Sequence, residues 1–380
     1  MPETIVILGA GWTGLPLAHK LLKYTLPKKP IKVVLVTPNT HFFWNVAATR
    51  GVIPGEFSED QMFLPIAPGF AKYPSDAFEF VLGKAEDIIS NDSSVSVVLN
   101  DGGRRTVKYD QLVIATGSQV ANNMPLKPVG THEETLAAWR ELQKRIGDAK
   151  DIVVAGSGAT GVEVAGELAA KYGRTRSITL IMSGGKPLEN DKSILDSVRD
   201  TIDSDLVKLG VKVIRGKRVA SVSAGAAQTT LALSDGSELQ TDCYLPLFGL
   251  KLNTSFVPSD WLDKDGNIAL DSHLKVDGTR NVWALGDVGS IDPKQITITD
   301  NQIIYLAGHL DAILTGSATK AYVPEKKTLI FVSLGKRYAT GQVGNWRLFG
   351  LMVSWVKGRR LFTDTAQAYV SGEKLRHSSL

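Results

Sequence analysis

Residues 153–167 read VVAGSGATGVEVAGE: an apolar entry, glycines at Gly156, Gly158 and Gly161, then a helical run. In a G-x-G-x-x-G turn between a strand and a helix, the first glycine permits the tight bend. The second lets the backbone approach a pyrophosphate, and the third lets the helix pack close to the strand. Residues 6–17, VILGAGWTGLPL, repeat the pattern at Gly9, Gly11 and Gly14. One such motif alone is a weak signal. Here each copy sits in a strand–helix–strand context: IVILG (5–9), GLPLAHKLLK (14–23) and IKVVLV (31–36), then DIVVAG (151–156), VEVAGELAAKYG (162–173) and SITLIM (177–182). In both, the helix N-terminus offers free N–H groups and a positive dipole end to a phosphate. The alternative, glycine turns in an ordinary doubly wound sheet, would have to arise twice in matched surroundings.

The remaining parts recur in the same order. Alternating strands FEFVLG (78–83) and SVSVVLNDGGRRTVKY (94–109) lead to a return strand, DQLVIATG, ending at Gly117. In the second half TTLALSDGSELQ (229–240) leads to CYLPLFG, ending at Gly249. An internal duplication explains this order. The expected class is α/β, with two Rossmann-like dinucleotide-binding domains and a small C-terminal module. The expected bounds are 1–121 with 250–324 for the first domain, 122–249 for the second and 325–380 for the module. After Gly249, KVDGTRNVWALGDVGS (275–290) reads as a strand ending at Gly286-Asp287, and a helix is predicted to start near Thr299 or Asp300.

Composition bounds the function. Of 380 residues 43% are hydrophobic and 22% charged, enough for full cores. The net charge of +4 suits anionic cofactors but gives no footprint for specific nucleic-acid binding. The one cysteine, Cys243, lies in an apolar strand. It excludes an internal disulfide, a CxxC pair and a multi-cysteine zinc site, and no metal site is expected. No apolar run suggests a signal peptide or a membrane-spanning helix, Pro2 excludes N-myristoylation, and Ser378-Ser379-Leu380 is not a peroxisomal SKL. The expectation is a cytoplasmic chain.

Both fingerprints lack the acid that usually holds a ribose at the end of the second strand. The first strand ends at Thr37, a hydroxyl that binds a ribose more weakly than a carboxylate. The second ends Ile181-Met182-Ser183, with Lys186 near enough to attract a 2′-phosphate or to be an ordinary surface lysine. Either NADH or NADPH is therefore allowed.

The two fingerprints, YDQLVIATGS (109–118) and NVWALGDVGS (281–290) together resemble the flavoprotein reductases with two dinucleotide domains. HFFWNVAATRG (41–51), IIYLAGHLDA (303–312) and GQVGNWRLFGLMVSWVKGRRLF (341–362) narrow this. They resemble the apoptosis-inducing-factor-like flavoproteins of the ferroptosis-suppressor type, relatives of type II NADH:quinone dehydrogenases. The resemblance covers nearly the whole chain. It implies FAD on the first unit, held by Gly9, Gly11, Trp12, Thr13 and Gly14, with Thr37, Ala85, Ala115, Thr116, Gly117, Gly286 and Asp287 beside it. Asn45 and Arg50 match family positions near the flavin, whereas Phe43 and Trp44 replace histidines, so Trp44 would shape the flavin face rather than relay protons. A nicotinamide is implied on the second unit, at Gly156, Gly158, Gly161 and Gly249. There Glu163 faces the nicotinamide, complements the helix N-terminus, or does both.

With no cysteine pair, the electrons must pass straight to a diffusible acceptor, which the resemblance implies is a quinone. Tyr305, Trp346 and Phe349 are candidates for its wall, with core or interface packing as the alternative. The segment 345–362, apolar with Lys357, Arg359 and Arg360 at its end, reads either as a peripheral membrane contact or as an interface. Two rival functions stand beside quinone reduction. One is a tailoring enzyme of specialised metabolism acting on a small quinoid or aromatic compound. The other is a signalling or nucleic-acid-binding flavoprotein. Nothing in the sequence sets the oligomeric state.

Overall fold

The computed structural model describes residues 2–225 and 228–375. The Ser378–Leu380 end therefore lies outside the described residues. A seven-stranded sheet takes Val282–Ala284, Gln111–Ile114, Glu3–Leu8, Ile31–Thr37, Phe78–Ile89, Ser94–Leu99 and Arg104–Lys108 in that spatial order. Its first five strands are parallel, and an antiparallel meander closes one edge. The runs IVIL and VVLV are apolar throughout because helices and loops cover both faces of this part of the sheet. A second, parallel sheet orders Lys212–Ile214, Ser177–Ile181, Asp151–Ala155 and Cys243–Pro246. A three-stranded meander over residues 219–241 belongs to the same half. The halves are joined by the antiparallel pair Ser118–Val120 and Leu250–Leu252.

The helix Ile296–Thr315 begins earlier than the sequence suggests, with Gln295 rather than Thr299 or Asp300 at its N-cap. Ile296 and Ile298 extend the apolar pattern upstream, and the side chain at Thr299 bonds back to the Ile296 carbonyl within the helix. Among the described residues no helix is long and apolar enough to cross a membrane.

The C-terminal segment forms an antiparallel sheet, Leu329–Leu334, Tyr338–Val343 and Trp346–Leu348. Its first strand lies on the helix Ala159–Tyr172, and Gly166 permits this approach: a Cβ there would stand 2.6 Å from the Leu334 side chain and 2.9 Å from its Cα. The last described helix, Ala366–Val370, returns to the first half of the chain. Tyr369 packs on Trp12, and the ring of His19 lies between the Tyr73 hydroxyl at 3.1 Å and the Val370 carbonyl at 3.0 Å.

Burial holds His19 at about 3, far below its ordinary 6.5, with Lys72 pushing the same way against the Val370 hydrogen bond. The folded state therefore keeps this ring neutral over a range where the unfolded chain takes up a proton. Stability from this group is complete above pH 6.5 and falls as the pH drops toward 3. The expected slope is about 1.4 kcal/mol per pH unit. Urea titrations from pH 7 to 4 check it, and a His19→Gln variant should show a flatter profile than the parent.

Candidate active site

The two fingerprints are built to the same plan. At Gly9, with φ of +103°, a Cβ would lie 2.5 Å from the Ala115 carbonyl oxygen; at Gly14 it would lie 1.9 Å from that of Gly9. At Gly156, with φ of +135°, the distance is 2.2 Å to the Leu247 carbonyl oxygen, and at Gly161 it is 2.1 Å to that of Gly156. At Gly11 and Gly158 a Cβ meets nothing within 4 Å. The outer glycines of each motif are thus demanded by the fold. The middle one is small on a face that protein atoms leave open.

The first fingerprint opens into a cavity of about 450 Å³. Gly9, Gly11, Trp12 and Thr13 line it, as do Thr37, Ala85, Ala115, Thr116, Gly117, Gly286 and Asp287. The sequence reading missed its electrostatics. Lys84, Lys127, Lys251 and Lys294 also line it, against Asp287 as the one carboxylate in the lining. Asp287 accepts from Ser118 Oγ at 2.5 Å and Lys127 Nζ at 2.6 Å. Burial pulls its carboxyl upward, yet Lys127, Ser118 and Lys294 hold it below its ordinary value. Lys294 Nζ donates to the Asp287 and Gly289 carbonyls and to Asn267. The Gly286 N–H donates to Gln302 Oε1 at 2.7 Å. None of these lysines stands in a local motif: Lys127 and Asp287 are 160 residues apart and meet only through the fold. The N-terminal turn of the long helix also reaches the wall, through Ile296 and Thr299. A glycine-floored, lysine-rimmed cavity of this kind fits a dinucleotide pyrophosphate.

Other expected site residues stand elsewhere. Asn45 accepts from Trp12 Nε1 at 2.5 Å, and Trp44 is buried with Nε1 on the Leu361 carbonyl at 3.0 Å. Trp44 belongs to an aromatic layer with Trp12, Phe42 and Tyr369 beside the cavity, and Asn45 is tied to that layer through Trp12. Arg50 does not line the cavity. It is 1% exposed and forks onto both oxygens of Glu167 at 2.7 and 2.9 Å, with further bonds to the Gly358 and Arg359 carbonyls. The reason is that its helical turn packs on Ala159–Tyr172, which offers a buried carboxylate.

In the second fingerprint Glu163 is buried and lies beyond the first helical turn. It accepts from the Ser333 N–H at 3.0 Å and from Lys357 Nζ at 2.5 Å, and Lys357 also bonds the Phe331 carbonyl. Lys357, expected among the cations at the end of the segment 345–362, is instead turned inward, its side chain 13% exposed, as the partner of Glu163. The return strand stops at Pro246, short of the expected Gly249, which with φ of +77° makes the turn into Leu250–Leu252. Lys186 is exposed and pairs with Asp200 at 2.8 Å.

Tyr305 is held away from the cavity by its bond to the Lys320 carbonyl at 2.7 Å, and burial pushes its phenol up to about 12. Trp346 and Phe349 do not line the cavity: they are 80% and 78% exposed, on a short strand edge and the loop after it. Cys243 is buried, and burial raises its thiol to about 11.

Comparison with known proteins places this architecture. Residues 3–302 match the family model described as pyridine nucleotide-disulphide oxidoreductase. The oxidoreductase ptaL of Pestalotiopsis fici is 38% identical, over 98% of this chain and 99% of that protein. Ferroptosis suppressor protein 1 of Xenopus tropicalis is 29% identical, over 95% of this chain and 94% of that protein. The sulfide:quinone oxidoreductase of Aquifex aeolicus superimposes with a TM-score of 0.78 at 16% identity, covering 99% of this chain and 93% of that one. The chain belongs to the pyridine nucleotide-disulphide oxidoreductase family, and its cofactors are FAD and NADH or NADPH.

Proposed function

We propose that this member of the pyridine nucleotide-disulphide oxidoreductase family oxidises NAD(P)H and reduces a diffusible quinone, without the disulfide of its family name. The observation that carries this reading is the pair of like-built fingerprints in a chain whose one cysteine is buried and protonated. The balance is NAD(P)H + H⁺ + quinone → NAD(P)⁺ + quinol. FAD, when bound, accepts the hydride and donates the two electrons onward.

The lysine-rimmed cavity suits FAD. There Gly11 admits the pyrophosphate to the backbone, and Gly9 and Gly14 set the turn. Thr37, Ala85, Ala115, Thr116, Gly117, Gly286 and Asp287 line the same space. The N-terminus of Ile296–Thr315 brings its positive dipole end to the wall. Gly156, Gly158 and Gly161 suit the nicotinamide dinucleotide. Lys186 must exchange Asp200 for a 2′-phosphate if NADPH is to be preferred. Lys357 and Ser333 hold Glu163 in one rotamer at the edge where the C-terminal sheet meets the helix. A fixed carboxylate there orients a ligand without a cost of reorganisation. Trp12, with Trp44 and Tyr369 packed against it, shields one wall of the first cavity from water.

The C-terminal surface supports a lipid-borne acceptor. Trp346, Phe349, Leu351, Met352 and Trp355 are 80, 78, 86, 49 and 68% exposed. Arg359 and Arg360 follow them in the chain and are exposed. An apolar patch with cations at its margin fits an anionic membrane surface. A Leu351→Glu/Trp355→Glu double variant should lose cosedimentation with phosphatidylserine vesicles by about tenfold or more, given roughly 1.5–3 kcal/mol per buried large side chain. Turnover with a water-soluble quinone should be unchanged. Equal vesicle binding by parent and variant contradicts the membrane reading. Absence of vesicle binding in the parent, with rapid turnover of a small quinoid compound, favours the tailoring alternative.

A further inference from the structure

A second cavity, about 390 Å³, opens where three parts of the chain meet. It shares no lining residue with the dinucleotide cavity. One wall is the segment carrying Arg50, Ile53 and Glu56. The second is Glu167, Ala170 and Lys171 on the helix of the second fingerprint, with Leu209 beside them. The third is the hairpin turn Leu334–Tyr338 of the C-terminal sheet. Gly335 makes this turn with φ of +80°, and a Cβ there would stand 2.4 Å from the Ala170 side chain, so the turn is pressed onto the helix.

The lining has two chemical characters. Ala170 and Leu209 give an accessible apolar floor, with the buried Ile53 and Leu334 behind it. The polar groups are four cations, Arg50, Lys171, Lys336 and Arg337, against two carboxylates, Glu56 and Glu167. Arg50 is used up by Glu167 and by two carbonyls. Glu56 takes Lys171 at 2.7 Å and Lys336 at 3.3 Å; burial pulls its carboxyl up, but the two lysines hold it below its ordinary value. Both carboxylates are thereby satisfied. Among the described residues the Arg337 guanidinium and the Tyr338 hydroxyl make no hydrogen bond or ion pair, so both donors remain for a ligand. Nothing in the FAD or NAD(P)H reading uses them.

We propose that this cavity is an effector site for a small organic carboxylate with an aromatic or aliphatic body. The apolar floor takes the body. Arg337 and Tyr338 take the carboxylate, in a site of net positive charge. The ligand would touch all three walls at once, and one of them is the hairpin. That hairpin's first strand supplies Ser333 N–H to Glu163, and its Phe331 carbonyl holds Lys357. A ligand that binds only when the hairpin is docked stabilises the docked form by mass action. Occupancy therefore reaches Glu163 through the strand, without any contact with either dinucleotide.

The test is isothermal titration of the FAD-loaded protein with 2-naphthoate, alongside the uncharged 2-naphthylmethanol. The expected result is one saturable site for the carboxylate, at least about tenfold weaker binding of the alcohol, and a similar loss in Arg337→Glu, the scale of one charge-assisted hydrogen bond. The same titration of Leu351→Glu/Trp355→Glu should match the parent, which separates this site from the exposed C-terminal patch. Saturation should also raise the melting temperature of the parent and not of Arg337→Glu. Equal affinity in parent and Arg337→Glu overturns the proposal. So does loss of binding in the patch variant, or no saturable heat into the millimolar range. Because no turnover is measured, these failures are distinct from failure of the quinone reading.

Discussion

Arg50→Ala loses about 3–5 kcal/mol of unfolding free energy, the usual cost of stranding one member of a buried ion pair. Arg50 is 1% exposed, and its guanidinium satisfies four acceptors: both oxygens of Glu167, and the Gly358 and Arg359 carbonyls. Those acceptors belong to the helix of the second fingerprint and to the C-terminal segment, while Arg50 itself belongs to the first half of the chain. Alanine leaves Glu167 buried without its cation, at a site where burial already pushes the carboxyl up despite Arg50, with Glu163 adding to the rise. It also frees two carbonyls that end the turn carrying Lys357. Urea denaturation reads the loss. Limited proteolysis should find new cleavage near residues 358–362 before the sheets open. Arg50→Lys should recover only part, because an ammonium lacks the planar fork. A melt within about 1 kcal/mol of the parent would refute the junction role.

Gly11→Val gives a protein that folds as the parent does and holds FAD at least about a hundredfold more weakly. A Cβ at Gly11 meets no protein atom within 4 Å, so the apoprotein has no clash to relieve. The added side chain instead fills the space through which a pyrophosphate would reach the backbone. Losing two hydrogen bonds to a charged group, each worth roughly 1.5–3 kcal/mol, accounts for that factor. Circular dichroism and melting should match those of apoprotein prepared from the parent, while flavin absorbance after purification should be lost. Gly14→Val is the contrasting control, since its Cβ would stand 1.9 Å from the Gly9 carbonyl oxygen and the fold itself must give. Tight FAD binding by Gly11→Val would remove the first fingerprint from the flavin site.

The sheets were legible because apolar strands, glycine turns and return strands are local patterns, and each occurred twice. The glycine geometry followed the motif closely, down to the open middle position. What the sequence hid were pairings across long separations. Lys127 and Lys294 became visible only when the fold brought them to Asp287. Arg50 was expected near the flavin, but a buried carboxylate one helical turn beyond Glu163 captures it. Tyr305, Trp346 and Phe349 illustrate the limits of reading aromatics: the same residue type is tied down by a carbonyl in one case and exposed in the others. The helix Ile296–Thr315 begins ahead of Thr299 because Ile296 and Ile298 continue its apolar face, a local signal that outweighs the polar cap residues at Thr299 and Asp300.

The central claim is that this chain passes electrons from a nicotinamide to an acceptor through FAD, with no cysteine taking part. Anaerobic titration of the FAD-loaded Cys243→Ser variant with NADH and with NADPH tests it most directly. The prediction is that the flavin absorbance bleaches at two electrons per FAD with at least one nicotinamide, and that added quinone restores it fully. Flavin that stays oxidised under both nicotinamides, or that bleaches in the parent and not in Cys243→Ser, would contradict the account.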